Sequence, residues 1–191
     1  MELNEFKYPQ NDGNVPNFHK EIWYDNEYDR FGICVENDDL VVDCGANVGL
    51  FAQYAISKGA SQVYSFELED HWFNYLKQNT QNNPNINIYK GAVSDRDEDW
   101  NLPRIINSVT MGKRINFLKV DIEGWEYPTL INCPDEYLSM VDKIAIEIHF
   151  GHDPDKLRTM DLIEKLSKCG FRLSYEHIHK YTTLGMIYGI K

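Results

Sequence analysis

Apolar positions change their period several times along this chain, and each change marks an element. Leu40-Val41-Val42 is a short apolar run ending in a glycine turn, the pattern of a strand buried on both faces. Residues 49–58 then read as a short helix stopped by Gly59. Val63-Tyr64-Ser65-Phe66 is a second strand, ending at Glu67. Residues 70–82 read as a helix in which Trp72, Phe73, Leu76 and Asn79 share a face. Ile86-Asn87-Ile88-Tyr89 alternates as a third strand, and residues 115–120 and 143–148 read as the fourth and fifth. Asp153 as cap, Pro154 at the first position and Gly170 at the exit punctuate a further helix with apolar Leu157, Met160, Ile163 and Leu166. Two strand-like runs, 171–176 and 183–190, close the chain, joined through His177-Ile178-His179-Lys180. Residues 1–20, with Pro9, Gly13 and Pro16, read as an irregular arm, and residues 94–113 as polar and irregular.

Strands separated by helices build βαβ units, hence an α/β fold with a mostly parallel sheet and helices on both faces. The last two strands have no helix between them and are expected to form an antiparallel hairpin. Residues 39–191 then make one domain, with residues 1–38 an arm packed on it. In such sheets ligands bind outside the carboxyl ends of the strands, near the switch point. The loops after each strand are therefore where chemistry is expected.

Composition narrows the partners. A net charge of −11 repels phosphate backbones and anionic lipid heads, so neither duplex nucleic acid nor a membrane surface is expected as a partner. Cys34, Cys44, Cys133 and Cys169 lack metal-ligand spacing and read as small buried residues of a reducing compartment. No long apolar segment and no signal-like start are present, which reads as cytoplasmic.

After the first strand comes Asp43-Cys44-Gly45-Ala46-Asn47-Val48-Gly49. Its glycines allow a tight turn and close approach of the main chain to a ligand. A dinucleotide loop would need glycines where Asn47 and Leu50 stand. Asp43 would also repel a pyrophosphate, whereas S-adenosylmethionine (SAM) offers an ammonium and a sulfonium. Glu67, 22 residues beyond Gly45, suits ribose hydroxyls. Gly91-Ala92-Val93-Ser94-Asp95 offers an adenine slot, with Asp95 for the exocyclic amine. After the fourth strand, Asp121, Glu123 and Glu126 form an acidic cluster where a methyl group would lie. Asp121 suits the SAM amino group or sulfonium, while Glu123 or Glu126 suits the start of the next helix. After the fifth strand, His149 is the candidate general base. Asp121, Glu123 and His149 are thus the candidate catalytic residues. With Glu147 they also have the donor types for magnesium, but caps and hydrogen bonds account for them more simply, and no metal is expected.

With these loops placed, the sequence resembles the FkbM family of SAM-dependent methyltransferases. The likeness lies in the run 41–49, in Phe66-Glu67, in Ala92-Val93-Ser94-Asp95, in the run 115–126 and in Glu147-Ile148-His149. It implies a Rossmann-like class I methyltransferase fold with a seven-stranded sheet. It also implies SAM contacts at Asp43, Gly45, Asn47, Gly49, Glu67 and Asp95, with Asp121 near the donor. Ala46, Leu68 and Ser94 stand in the same loops and complete the expected cofactor set. Members with assigned roles mostly methylate hydroxyls, so O-methylation of a small acceptor such as a sugar or glycan is the leading expectation. N-methylation of a nucleobase or peptide, or a non-catalytic SAM-binding module, is the alternative. Leu68 replaces the family's usual proline, and residues 101–114 are abbreviated, which loosens the link to a sugar acceptor.

Overall fold

The computed structural model describes residues 1–152, 156–177 and 183–191. Strand β1, Leu40–Cys44, is buried at every position and lies inside the sheet, third from one edge. Strands β2 (Gln62–Glu67) and β3 (Ile86–Lys90) follow on one side, both parallel to it. Strands β4 (Ile115–Val120) and β5 (Val141–His149) lie on the other, also parallel. Strand β7 (Leu184–Ile190) runs antiparallel between β5 and β6 (Arg172–His177), giving the order 3-2-1-4-5-7-6. The parallel sheet and C-terminal hairpin read from the sequence are therefore present.

Alternation sorts the strand residues between two cores. Val42 and Cys44 of β1, with Leu118 and Val120 of β4, pack into one. Val41 and Phe117 pack into the other, beside helix α2, Leu50–Ser57. Side chains two apart share a face, so Asp43 and Lys119 point the same way as Val41 and Phe117. Helix α3, Asp70–Thr80, connects β2 to β3.

The arm is more ordered than the sequence suggested. It carries a 3-10 turn at Leu3–Glu5 and helix α1, Asn14–Trp23. Pro16 reads as a breaker, yet it sits in the first turn, where a missing N–H costs nothing. Asp12 accepts the amides of Asn14 and Val15 at 2.7 and 3.1 Å, and Val15 and Ile22 are buried. The polar segment before β4 is also structured. Helix α4, Leu102–Arg104, runs into a π-helical turn at Ile105–Val109 that buries Ile105, Ile106 and Val109.

Short helices α5 (Glu126–Ile131) and α6 (Asp135–Leu138) connect β4 to β5, and α7 spans Leu157–Lys168. Asp153 and Pro154, the expected start of α7, and Ile178, His179 and Lys180 lie outside the described residues. The apolar face of α7 is the expected one only in its second half, where Leu166 is buried and Ile163 packs against the core. Leu157 and Met160 are exposed, and Thr159, Leu162 and Leu166 face the core. Gly170 does end the helix, at φ +92°. No helix among the described residues is long and apolar enough to cross a membrane.

Candidate active site

The chain leaves β1 for β2 and β3 and returns to the opposite side for β4, so the loops after β1 and β4 diverge. A cavity of about 910 Å³ opens there, lined from β1, β2, β4, β5 and the N-terminal segment. Its loops are pressed together at Gly45, where a Cβ would stand 1.7 Å from the Asp121 carbonyl oxygen. At φ +82° the position also favours glycine on backbone grounds.

Glu67 locks this loop to the end of β2. Its Oε2 accepts the Asn47 amide at 2.8 Å and its Oε1 the Glu69 amide at 2.7 Å. One oxygen thus holds the loop after β1 and the other holds its own turn, which aims the carboxylate at the cavity. Ala46, Asn47, Leu68 and Ser94 line the same space, with Leu68 half exposed at its rim.

Other expected cofactor residues stand elsewhere. Asp43 is wholly buried and does not line the cavity. It faces Lys119, whose Nζ lies 3.3 Å from Asp43 Oδ1, 3.5 Å from Asp121 Oδ2 and 2.6 Å from the Gly45 carbonyl oxygen. Burial works against charge on Lys119, but Asp43 and Asp121 outweigh it and hold the ammonium protonated. Asp43 therefore reaches the cavity only through a buried lysine. Gly49, at φ +91°, packs against Leu76 at the start of α2. Asp95 points away, accepting from Asn132 at 2.8 Å, while Ser94 donates to Asp99 at 2.8 Å. Arg96 stacks on Trp125 at 4.5 Å, and both stand on the cavity wall.

The three candidate catalytic residues do converge: one donor atom from each of Asp121, Glu123 and His149 lies within 4.8 Å of the others. Glu126, expected as a cap, is instead wholly buried, its Oε1 against His149 Nδ1. Nε2 of the same ring faces Glu123 at 3.4 Å and Glu147 at 3.9 Å. Burial lowers the affinity of His149 for a proton, but Glu126, then Asp121 and Glu147, overcome it and lift the ring to about 9. At neutral pH the ring therefore holds its proton. His152 ends a 3-10 turn, and His177 stacks on Phe150 at 6.0 Å.

Residues of the N-terminal segment complete the pocket. The Tyr28 hydroxyl lies 3.3 Å from Asp121 Oδ2 and 3.3 Å from Glu147 Oε2, and so donates to either carboxylate. Glu27 stands beside it on the wall. Neither residue carried a signal in the sequence, because only the fold brings this segment over the sheet. Lys119 did carry one: a charged residue inside an apolar strand needs a buried partner.

Residues 98–173 match the profile of the Methyltransferase FkbM domain. That stretch of the chain is similar to the FkbM methyltransferases. "Methyltransferase 1" of Beauveria bassiana is 23% identical over 180 residues, covering 68% of this chain and 72% of that protein. Two other curated relatives are matched over only 33% and 11% of their lengths. Among solved structures, a precorrin-6y C5,15-methyltransferase from Geobacter metallireducens superposes with a TM-score of 0.59 at 11% identity, covering 98% of this chain and 95% of that one. Aeropyrum pernix fibrillarin, solved with natively bound SAM, gives 0.58 at 14% identity, covering 86% and 72%. The fold of this chain is thus the Rossmann-like class I methyltransferase fold.

Proposed function

We propose that the chain transfers a methyl group from SAM to a hydroxyl of a small acceptor, a saccharide or glycan-like molecule. The observation that carries this is the loop 45–49, held open by Glu67 over a cavity whose lining carboxylates include Glu27, Glu67, Asp121 and Glu147. A cationic cofactor fits that lining and a pyrophosphate does not. When bound, SAM supplies an electrophilic methyl group on a sulfonium. Glu67 keeps lone pairs for the ribose hydroxyls after serving its two amides. Asp121, at the end of β4, is placed for the cofactor's cationic end. Asp121 and Glu147 are also the carboxylates available for the proton that an acceptor hydroxyl sheds, and Tyr28 holds the two in register. Most of the acceleration then comes from positioning. The acidic walls favour neutral or cationic acceptors over phosphate-bearing ones.

Calorimetry of the protein with SAM tests the cofactor. Saturable binding is expected, and no heat at millimolar SAM would sink the reading. Formation of S-adenosylhomocysteine over a panel of hydroxylated saccharides tests the acceptor. Turnover with amines or nucleobases but with no hydroxyl compound would overturn the O-methylation part alone.

A further inference from the structure

We propose that Asp121, Glu123 and His149 form a divalent-cation site on the acceptor side of the cavity. Its place in the reaction rests on the methyltransferase reading above, while the site itself rests on geometry. Donor atoms within 4.8 Å of one another can converge on one ion after small side-chain shifts, since bonds of about 2.0–2.2 Å allow ligands at most about 4.4 Å apart. Two carboxylates alone would be an ordinary acidic patch. The imidazole sets this group apart.

Glu126 sits against Nδ1 of His149 and leaves Nε2 facing Glu123 and Glu147. Nε2 and two carboxylates face one another, so a positive charge belongs between them, either a proton on Nε2 or a cation. One proton can satisfy Nε2 and a single oxygen. A divalent cation satisfies Nε2 together with oxygens of both Asp121 and Glu123. A buried carboxylate on the far nitrogen is how metal-binding imidazoles are commonly oriented. Glu126 supplies a second, independent observation. It is completely buried, and its Oε2 has no hydrogen-bond partner among the described residues. A buried carboxylate with only one polar contact is costly, and a doubly charged ion behind the ring offsets that cost.

Mixed oxygen and nitrogen donors suit manganese or zinc as well as magnesium. Glu123 is 87% exposed at its side chain, so part of the coordination sphere opens to solvent. Water would fill those positions, and an acceptor with two adjacent hydroxyls can displace two such waters. The site therefore selects a vicinal diol and orients it.

Manganese alone is the probe. Titration followed by loss of the aqueous Mn²⁺ paramagnetic resonance signal is expected to show one tightly bound ion per chain. Glu126→Gln should weaken it by roughly 10–100-fold. Glu123→Ala loses only an exposed side chain, so it keeps the fold, and it and His149→Ala should abolish tight binding. Wild-type binding only at millimolar Mn²⁺, or affinity in Glu123→Ala and His149→Ala equal to that of the wild type, overturns the cation site and leaves His149 an imidazolium in an ion pair. SAM calorimetry on the same samples separates the two readings. SAM binding without manganese binding sinks only the cation site, and absent SAM binding sinks the proposed function whatever manganese does.

Discussion

At the scale of single residues, Gly45 and Lys119 have the least freedom to change. Gly45→Ala would drive a methyl carbon into the Asp121 carbonyl oxygen, so the loops after β1 and β4 must separate. Loss of SAM binding by calorimetry is expected, with a lower melting temperature. Lys119 is a buried charge shared by Asp43, Asp121 and the Gly45 carbonyl. Lys119→Met leaves Asp43 buried and unpaired, which should cost about 3–5 kcal/mol in urea denaturation. Adding Asp43→Asn removes the stranded charge and should recover part of that loss. A double variant no more stable than Lys119→Met would show that the pair is not coupled. The glycine was legible in the sequence from its loop. The importance of Lys119 was legible only as an anomaly, a cation inside an apolar strand whose partners lie on a neighbouring strand and loop.

At the scale of elements, the strands and their order of types were readable, because buried parallel strands are short apolar runs. Helix α1 and the turn at Ile105–Val109 were not. Helix α1 sets its apolar residues among polar ones and the turn is too short to show a period, so both gain helical order from the surfaces they cover. The N-terminal segment also carries a pH dependence. Burial, then Glu21 and Asp121, raise the Glu27 carboxyl to about 7, with Asp25 adding to the rise and Arg30 opposing it. An unfolded chain loses that proton near 4.5. Between those values the native state binds more protons, so stability is complete below about pH 4.5 and falls as pH rises through 7. Glu27→Gln should therefore match the wild type near pH 4.5 and exceed it at pH 8 by on the order of 3 kcal/mol. Denaturation curves at the two pH values check this, and an equal offset at both would refute it.

At the scale of the whole molecule, the acidic cavity should discriminate between cofactors by charge. SAM at 100 times its dissociation constant adds about 2.7 kcal/mol of stability. For a chain of this size that raises the melting temperature by roughly 5–10 °C. NADH, with its pyrophosphate, should produce no shift; a shift as large as that of SAM would contradict the charge argument. The four cysteines should also divide by burial. Cys44 is buried, and burial pushes the Cys133 thiol up to about 12, so both should resist a thiol reagent until the chain is denatured. Cys34 and Cys169 are partly accessible and should react first.

The sequence by itself determined the α/β class, the parallel strands, the closing hairpin and the loops where chemistry belongs. These follow from local period and turn chemistry, which short segments carry on their own. Only the tertiary structure decided which of those loop residues face the cavity. Asp43 turned inward to Lys119 and Asp95 outward to Asn132, while Glu126 left its expected cap for His149. It also brought Glu27 and Tyr28 over a sheet whose nearest strand begins at Leu40. Direction and proximity of that kind come from packing between distant segments, and no local pattern encodes them.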